Sequence, residues 1–176
     1  MTIDVYADIA CPWCYVGRAR LKQALAQRPA VDVTLRWRPF QLQPDMHENG
    51  RDFREVLSSK FGGWEQAQRM FERVREMGAQ DGLTFNFDAI DVAPNTADAH
   101  RLVLWAADQA QDRSDTLATS LFRAYFTEGR NVSDRDVLVD CAGEVGLDAE
   151  EARAMLDGAG YGDAVRESQQ RAQQRG

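Results

Sequence analysis

Residues 2–38 leave this chain little freedom, because they read as strand, helix and strand in close succession. Residues 2–9, TIDVYADI, alternate in polarity and carry β-branched side chains, the pattern of a half-buried strand. A helix is expected from Pro12 to Gln27. Pro12 fits a first helical turn, where its missing N–H costs nothing, and Val16, Ala19, Leu21, Ala24 and Leu25 supply the apolar side. Arg28-Pro29 ends it. Residues 31–38, VDVTLRWR, set Val31, Val33, Leu35 and Trp37 against polar neighbours and read as a second strand. Together these elements make one βαβ unit, with parallel strands and a right-handed crossover.

From about Asp52 onward the pattern is helical almost throughout. Trp64, Ala67, Phe71, Val74 and Met77 form one apolar stripe. The next helix can be capped by Asn95 or Thr96. Another carries Leu117, Leu121, Phe122, Tyr125 and Phe126 and stops at Gly129. Ser133 with Asp136, and Asp148 with Glu151, have the three-residue spacing of capping boxes. A polar helix from Gly162 to Gln174 comes last, and residues 85–95 are the most loop-like long stretch. The fold class is therefore α/β, one βαβ unit followed by helices. Two strands make a poor sheet, and its open edges need pairing or cover. A second copy of this chain, giving a homo-oligomer, or a rearranged segment of the same chain is expected there.

A net charge of −7 without any Lys/Arg block argues against nucleic-acid partners. The start, MTIDVYADIA, lacks the basic residues and apolar run of a secretory signal. No segment approaches the roughly 20 apolar residues of a membrane span. The expected location is the cytoplasm, although an exported form whose signal has been removed has the same composition.

The chemistry concentrates in DIACPWCYVG, residues 8–17, where Cys11 and Cys14 bracket Pro12 and Trp13. Structural zinc needs four ligands, usually two such pairs. Cys141, His47 and His100 are scattered without ligand spacing, so no metal is expected. A disulfide closing so short a loop stabilises by about 2 kcal/mol at best, a weak reason for a staple. A redox pair fits better. Cys11 falls where a strand gives way to a helix, and the free N–H groups and positive dipole end there favour a thiolate. Cys14, one turn further in, can attack a mixed disulfide. Trp13 offers an apolar face to a peptide substrate. Asp8 opposes the thiolate, since a nearby carboxylate raises a thiol pKa. A CxxC beside a βαβ pattern is a thioredoxin-like signal.

CPWC between strand and helix, then WRPFQLQPD, PNTADAHRL and LFRAYFTEGRNVSD, resemble the DsbA-like thioredoxin-fold oxidoreductases, and most closely the FrnE-type subgroup. The resemblance spans essentially the whole chain. It implies a thioredoxin-like domain at residues 1–44, a helical insertion at 45–158 and a helix returning to the first domain at 159–176. It further implies that Cys11 is the attacking thiol and Cys14 the resolving one. The activity implied is oxidation, reduction or isomerisation of protein disulfides. No cofactor is implied beyond the cysteine pair, with glutathione as a candidate thiol partner and an oxidant or reductant of unspecified identity. Members of the family continue with a strand bearing a cis proline that faces the CxxC, a second strand and a closing helix. None of the five prolines here occupies that place, so the C-terminal ββα half is expected to be absent and the chain to be a shortened one. Two other functions stand beside this one. One is a glutathione-dependent isomerase of the 2-hydroxychromene-2-carboxylate type, a branch that typically carries Ser in place of Cys11. The other is a chaperone-like binding protein using the helices and Trp13.

The remaining candidates are weaker. Cys141 shares an apolar stripe with Val137, Leu138 and Val145 and reads as a buried, inert thiol. His100 is either a structural histidine or a cleft residue facing the thiols, and His47 reads as a loop residue. Trp37, Phe40 and Leu42 either line a groove beside Cys11 or pack in the core. Asn95 is a cap or a groove residue. Arg69, Arg73 and Arg75 read as a solvated face.

Overall fold

The computed structural model describes residues 1–110 and 112–175. Strand β1 (Thr2–Ala7), helix α1 (Pro12–Ala26) and strand β2 (Thr34–Pro39) form the expected unit. The strands run parallel, with Thr2 opposite Thr34, Val5 opposite Trp37 and Ala7 opposite Pro39. β1 ends at Ala7, after which the Asp8 carbonyl turns to accept the Cys11 amide at 3.0 Å. β2 starts later than its alternation suggests. The paired register runs only from Thr34, the Met1 amine reaches the Asp32 carbonyl at 2.7 Å, and the Val31 amide closes a turn on the Arg28 carbonyl.

The rest of the chain is mostly helical: α2 (Phe53–Phe61), α3 (Trp64–Gln80), α4 (Ala97–Gln109), α5 (Arg113–Phe126), α6 (Arg135–Glu144), α7 (Ala149–Asp157) and α8 (Gly162–Arg175). The loop-like stretch holds a 3-10 turn at Phe87–Ala89 and strand β4 (Val92–Ala93). β4 pairs antiparallel with β3 (Arg51–Asp52). Strands of two residues carry no alternation to read. Asp148 caps α7 by accepting the Glu151 amide at 2.9 Å, as its spacing predicts. The cap of α6 is Asp134 and not Ser133, because the Ser133 hydroxyl is engaged by the Asn95 amide at 2.9 Å.

The core is a train of aromatic rings that starts under the sheet and runs into the helices. Trp37 of β2 meets Phe122 of α5, which stacks on Tyr15 of α1 at 5.0 Å between centroids. Tyr15 meets Phe85 edge-on, and Phe87 stacks on Phe71 at 4.3 Å. Phe53 and Trp64 close the far end. Arg18 adds a two-pronged ion pair from α1 to Asp115 of α5, at 3.0 and 2.6 Å. Arg75, expected on a solvated face, also lies over the Phe87 ring and pairs with Asp88.

Helix α8 returns to β2 and α4. The Gln169 side chain accepts from the Gln41 amide at 2.7 Å and donates to the Gln41 carbonyl at 3.1 Å. Arg101 of α4, almost wholly buried, donates to the Met155, Leu156, Gly158 and Gly160 carbonyls and so satisfies the frayed end of α7.

Gly129 has φ of +72°, and a β-carbon there would run into the Ala89 carbonyl. Gly129→Ala should therefore destabilise the protein by roughly 1–3 kcal/mol from backbone strain, with the collision adding to it. Urea denaturation followed by circular dichroism measures this, and an unchanged midpoint would contradict the account.

Candidate functional site

Cys11 is the N-cap of α1, in extended conformation, and Pro12 is the first residue of the helix. Its carbonyl accepts from the Cys14 amide at 3.1 Å, which starts the first turn. The amides of Trp13 and Cys14 favour its thiolate, although the side chain forms no cap hydrogen bond. Both thiols are half-buried and unbridged. Trp13 stands out into solvent with 45 % of its surface exposed, so its ring is free to meet another molecule.

The two thiols differ sharply in acidity. A hydrogen bond from the Cys14 thiol is the main cause that lowers the Cys11 pKa to about 7. The amides of Cys14 and Trp13 act in the same direction, while burial and the charge of Asp8 oppose them. Cys14 is pushed far above the ordinary thiol range, because its hydrogen bond to Cys11, its burial and the two neighbouring charges all favour the protonated form. Cys11 is thus the more readily ionised of the two thiols, and Cys14 the one that keeps its proton.

Asp8 lies beneath this turn, 3 % exposed. Its carboxylate accepts from the Leu42 amide at 2.7 Å and from the Ala10 amide at 3.2 Å. His100 Nε2, from α4, lies 3.5 Å from Asp8 Oδ1 and reaches no well-formed hydrogen-bond partner. Burial pushes the Asp8 pKa up, but His100, the Leu42 amide and the Thr96 hydroxyl outweigh it, and the carboxyl is held below its ordinary value. Of the two sequence readings of His100, the cleft residue is not what the structure shows: it is buried against Asp8 and, like Phe40 and Asn95, does not line the cavity beside Pro12. Asp8 itself, read in the sequence only as an opposing charge, joins the thiol turn, the segment after β2 and α4 through these contacts. The signal for the pairing was the Asp three residues before Cys11, but nothing in the sequence tied it to residue 100.

A narrow cavity of about 70 Å³ begins beside Pro12 and runs between the thiol turn and the helices. Asp8, Leu42, Lys60, Thr96 and Tyr125 are among the residues that line it. Leu42 is 46 % exposed at its mouth, which suits a groove residue. Phe40 and Asn95 do not line it. Phe40 is half-buried and extends the strand pairing through its amide to the Ala7 carbonyl at 3.1 Å. Asn95 ties loops together, donating to the Met46 carbonyl at 2.7 Å and accepting from the Ala97 amide at 2.9 Å. Trp37 is core, and Cys141 is buried with its pKa raised chiefly by that burial. Among the described residues no three His, Cys, Asp or Glu side chains are grouped to hold a metal, and no helix is long and apolar enough to cross a membrane.

Residues 2–176 match the DSBA-like thioredoxin domain family. The chain belongs to that family. The "probable DsbA oxidoreductase" of Streptomyces coelicolor is 37 % identical and superposes with a TM-score of 0.90, covering 100 % of this chain and 76 % of that one. The uncharacterized protein YwbO of Bacillus subtilis is 29 % identical over 166 residues, which is 94 % of this chain and 76 % of YwbO. The cytosolic disulfide reductase DsbM of Pseudomonas aeruginosa, in a structure with glutathione, shares the fold with a TM-score of 0.64 and 22 % identity, over 99 % of this chain and 79 % of its own. The βαβ unit and the helices inserted after it are accordingly a DsbA-like thioredoxin fold, that of an oxidoreductase family.

Alkylation of the reduced protein by iodoacetamide should rise with pH through a half-point near 7, since only the Cys11 thiolate reacts and its pKa lies below that of an ordinary thiol. The label should fall on Cys11. A half-point in the ordinary thiol range near 8.5, or equal labelling of Cys14, would contradict this assignment.

Proposed function

We propose that the chain is a thiol–disulfide oxidoreductase or isomerase in which Cys11 attacks a substrate disulfide and Cys14 resolves the mixed disulfide. The observation that carries this reading is the opposed acidity of the two thiols across one helical turn. A thiolate available near neutral pH sits beside a thiol that keeps its proton. Nucleophilic attack needs the first, and a mixed disulfide that survives long enough to be released or resolved needs the second. Family membership supports the class of chemistry.

Trp13 and Leu42, both exposed beside Pro12, give a protein or peptide substrate an apolar surface to lie on. Glutathione is the proposed small-thiol partner, and DsbM offers a fold-level precedent for it. The proposed setting is the cytoplasm, where a thiolate-bearing pair is kept reduced and ready to attack. The isomerase of 2-hydroxychromene-2-carboxylate has no need of a second thiol, so the Cys14 hydrogen bond to Cys11 is better explained by disulfide exchange.

Reduction of insulin disulfides by glutathione in the presence of the protein should depend on Cys11. Cys11→Ser should bring the rate to background, and Cys14→Ser should accumulate a covalent adduct on Cys11, visible by mass spectrometry. Activity of Cys11→Ser at the wild-type level would sink the proposal.

A further inference from the structure

The cavity beside Pro12 continues into a second space. It shares Leu42, Gln43, Val56 and Lys60 with a wider, more open groove of about 470 Å³, which runs on past Pro44 and Asp45 along α2. The two spaces form one track leading away from the thiol turn, and Lys60 lines both of them.

The narrow part is mainly apolar. Phe53, Val56 and Leu57 of α2 and Met70 and Phe71 of α3 are in its wall. At about 70 Å³ it is far smaller than the roughly 300–1,000 Å³ of a pocket that encloses a whole small ligand. It suits one small side chain of a longer molecule. Its two charged residues differ in kind. Asp8 is buried, and its carboxylate is already engaged by the Leu42 and Ala10 amides. Lys60 is exposed and makes no ion pair among the described residues; its ammonium lies 5.8 Å from the Phe61 ring. In the wider part Arg51 and Glu55 neutralise each other at 2.6 Å, and Asp45 is exposed. An unpaired cation beside an apolar slot is complementary to an acidic group carried next to an apolar one.

We propose that this track is the specificity site for a substrate polypeptide, one with a small apolar residue close to its disulfide cysteine and an acidic residue beyond that. The apolar side chain fills the cavity beside Pro12 while Cys11 meets the substrate sulfur, and Lys60 pairs with the acid. The inference rests on the disulfide-exchange reading above and adds the class of substrate. Lys60 also stands in the last turn of α2, where a cation complements the helix dipole. That role bears on stability and leaves the choice between substrates unchanged, so choice is what the test reads.

The reduced protein is mixed with peptides that each carry one cysteine blocked as a neutral 2-pyridyl disulfide, and release of pyridine-2-thione is followed by stopped-flow absorbance. The Cys11 thiolate attacks the peptide sulfur, and a Cys11–peptide disulfide forms. The bond to the pyridyl sulfur breaks, and its electron pair leaves with the thione anion. The peptides place Val or Gly near the cysteine and Glu or Lys beyond it, on either side. Wild type should favour the Val-Glu peptide over the Val-Lys peptide by about fivefold, the upper range for one exposed ion pair. The preference should shrink in about 1 M salt, where the Debye length falls to about 3 Å. Replacing Val by Gly should weaken it, because the acid is then no longer held at Lys60. Lys60→Glu should reverse it toward the Val-Lys peptide, and Lys60→Arg should retain it. Each ratio is taken within one protein, so a loss of stability cannot imitate a reversal. Rates for the Glu and Lys peptides within about twofold in wild type, a preference unmoved in Lys60→Glu, or one indifferent to the Val would overturn the inference while leaving disulfide exchange standing. Failure of the wild-type protein to release thione from any peptide would remove both.

Discussion

The stack of Tyr15 on Phe122 is the contact on which the rest of this structure depends. Tyr15 immediately follows Cys14, so the ring that enters the core is attached to the turn that carries the chemistry. Burying a ring of that size and stacking it contributes more than any ion pair nearby, since aromatic pairs add about 0.5–1.5 kcal/mol beyond their buried area. Through Phe122 the sheet is reached at Trp37, and through Phe85 and Phe87 the helices α2 and α3 are reached at Phe53 and Phe71. The thiol turn is thus fixed relative to both the sheet and the helices by one run of rings. Arg18, one turn further along α1, fixes the rotation of that helix through Asp115.

On this support the electrostatics of the turn are a contest with a definite winner at each sulfur. At Cys11, hydrogen bonds from the Cys14 thiol and two backbone amides outweigh burial and Asp8. At Cys14, the same Cys11 sulfur and the same burial act together and nothing comparable opposes them. One hydrogen bond lowers the first thiol and raises the second, so the asymmetry follows from position in the helix rather than from a difference in residue type. The helix start supplies free amides to the residue at the cap and none to the residue a turn later.

Much of this was legible in the sequence. Alternation in residues 2–9 and 31–38 and the position of Pro12 are local signals, and they placed β1, α1 and most of β2. The CxxC at the strand-to-helix junction named both thiols for the same reason. What escaped was non-local. Asp8 and His100 are 92 residues apart in a chain whose folding alone brings them to 3.5 Å. Strands β3 and β4 are too short for periodicity to register. Ser133 has a good capping spacing, but a distant amide at Asn95 claims its hydroxyl, and the adjacent Asp134 takes the cap. Phe40 and Asn95 were plausible groove residues by proximity along the chain, yet backbone pairing and loop tying use them instead.

Gln169 meets both the amide and the carbonyl of Gln41, so a single side chain on α8 satisfies both peptide groups of this buried residue just past β2. The next residue along is Leu42, whose amide grips Asp8. Residue 41 is therefore a pivot pinned from the opposite end of the chain. The last helix therefore stands one peptide unit away from the carboxylate beside the thiols, and the position of Leu42 against Asp8 depends on both ends of the chain.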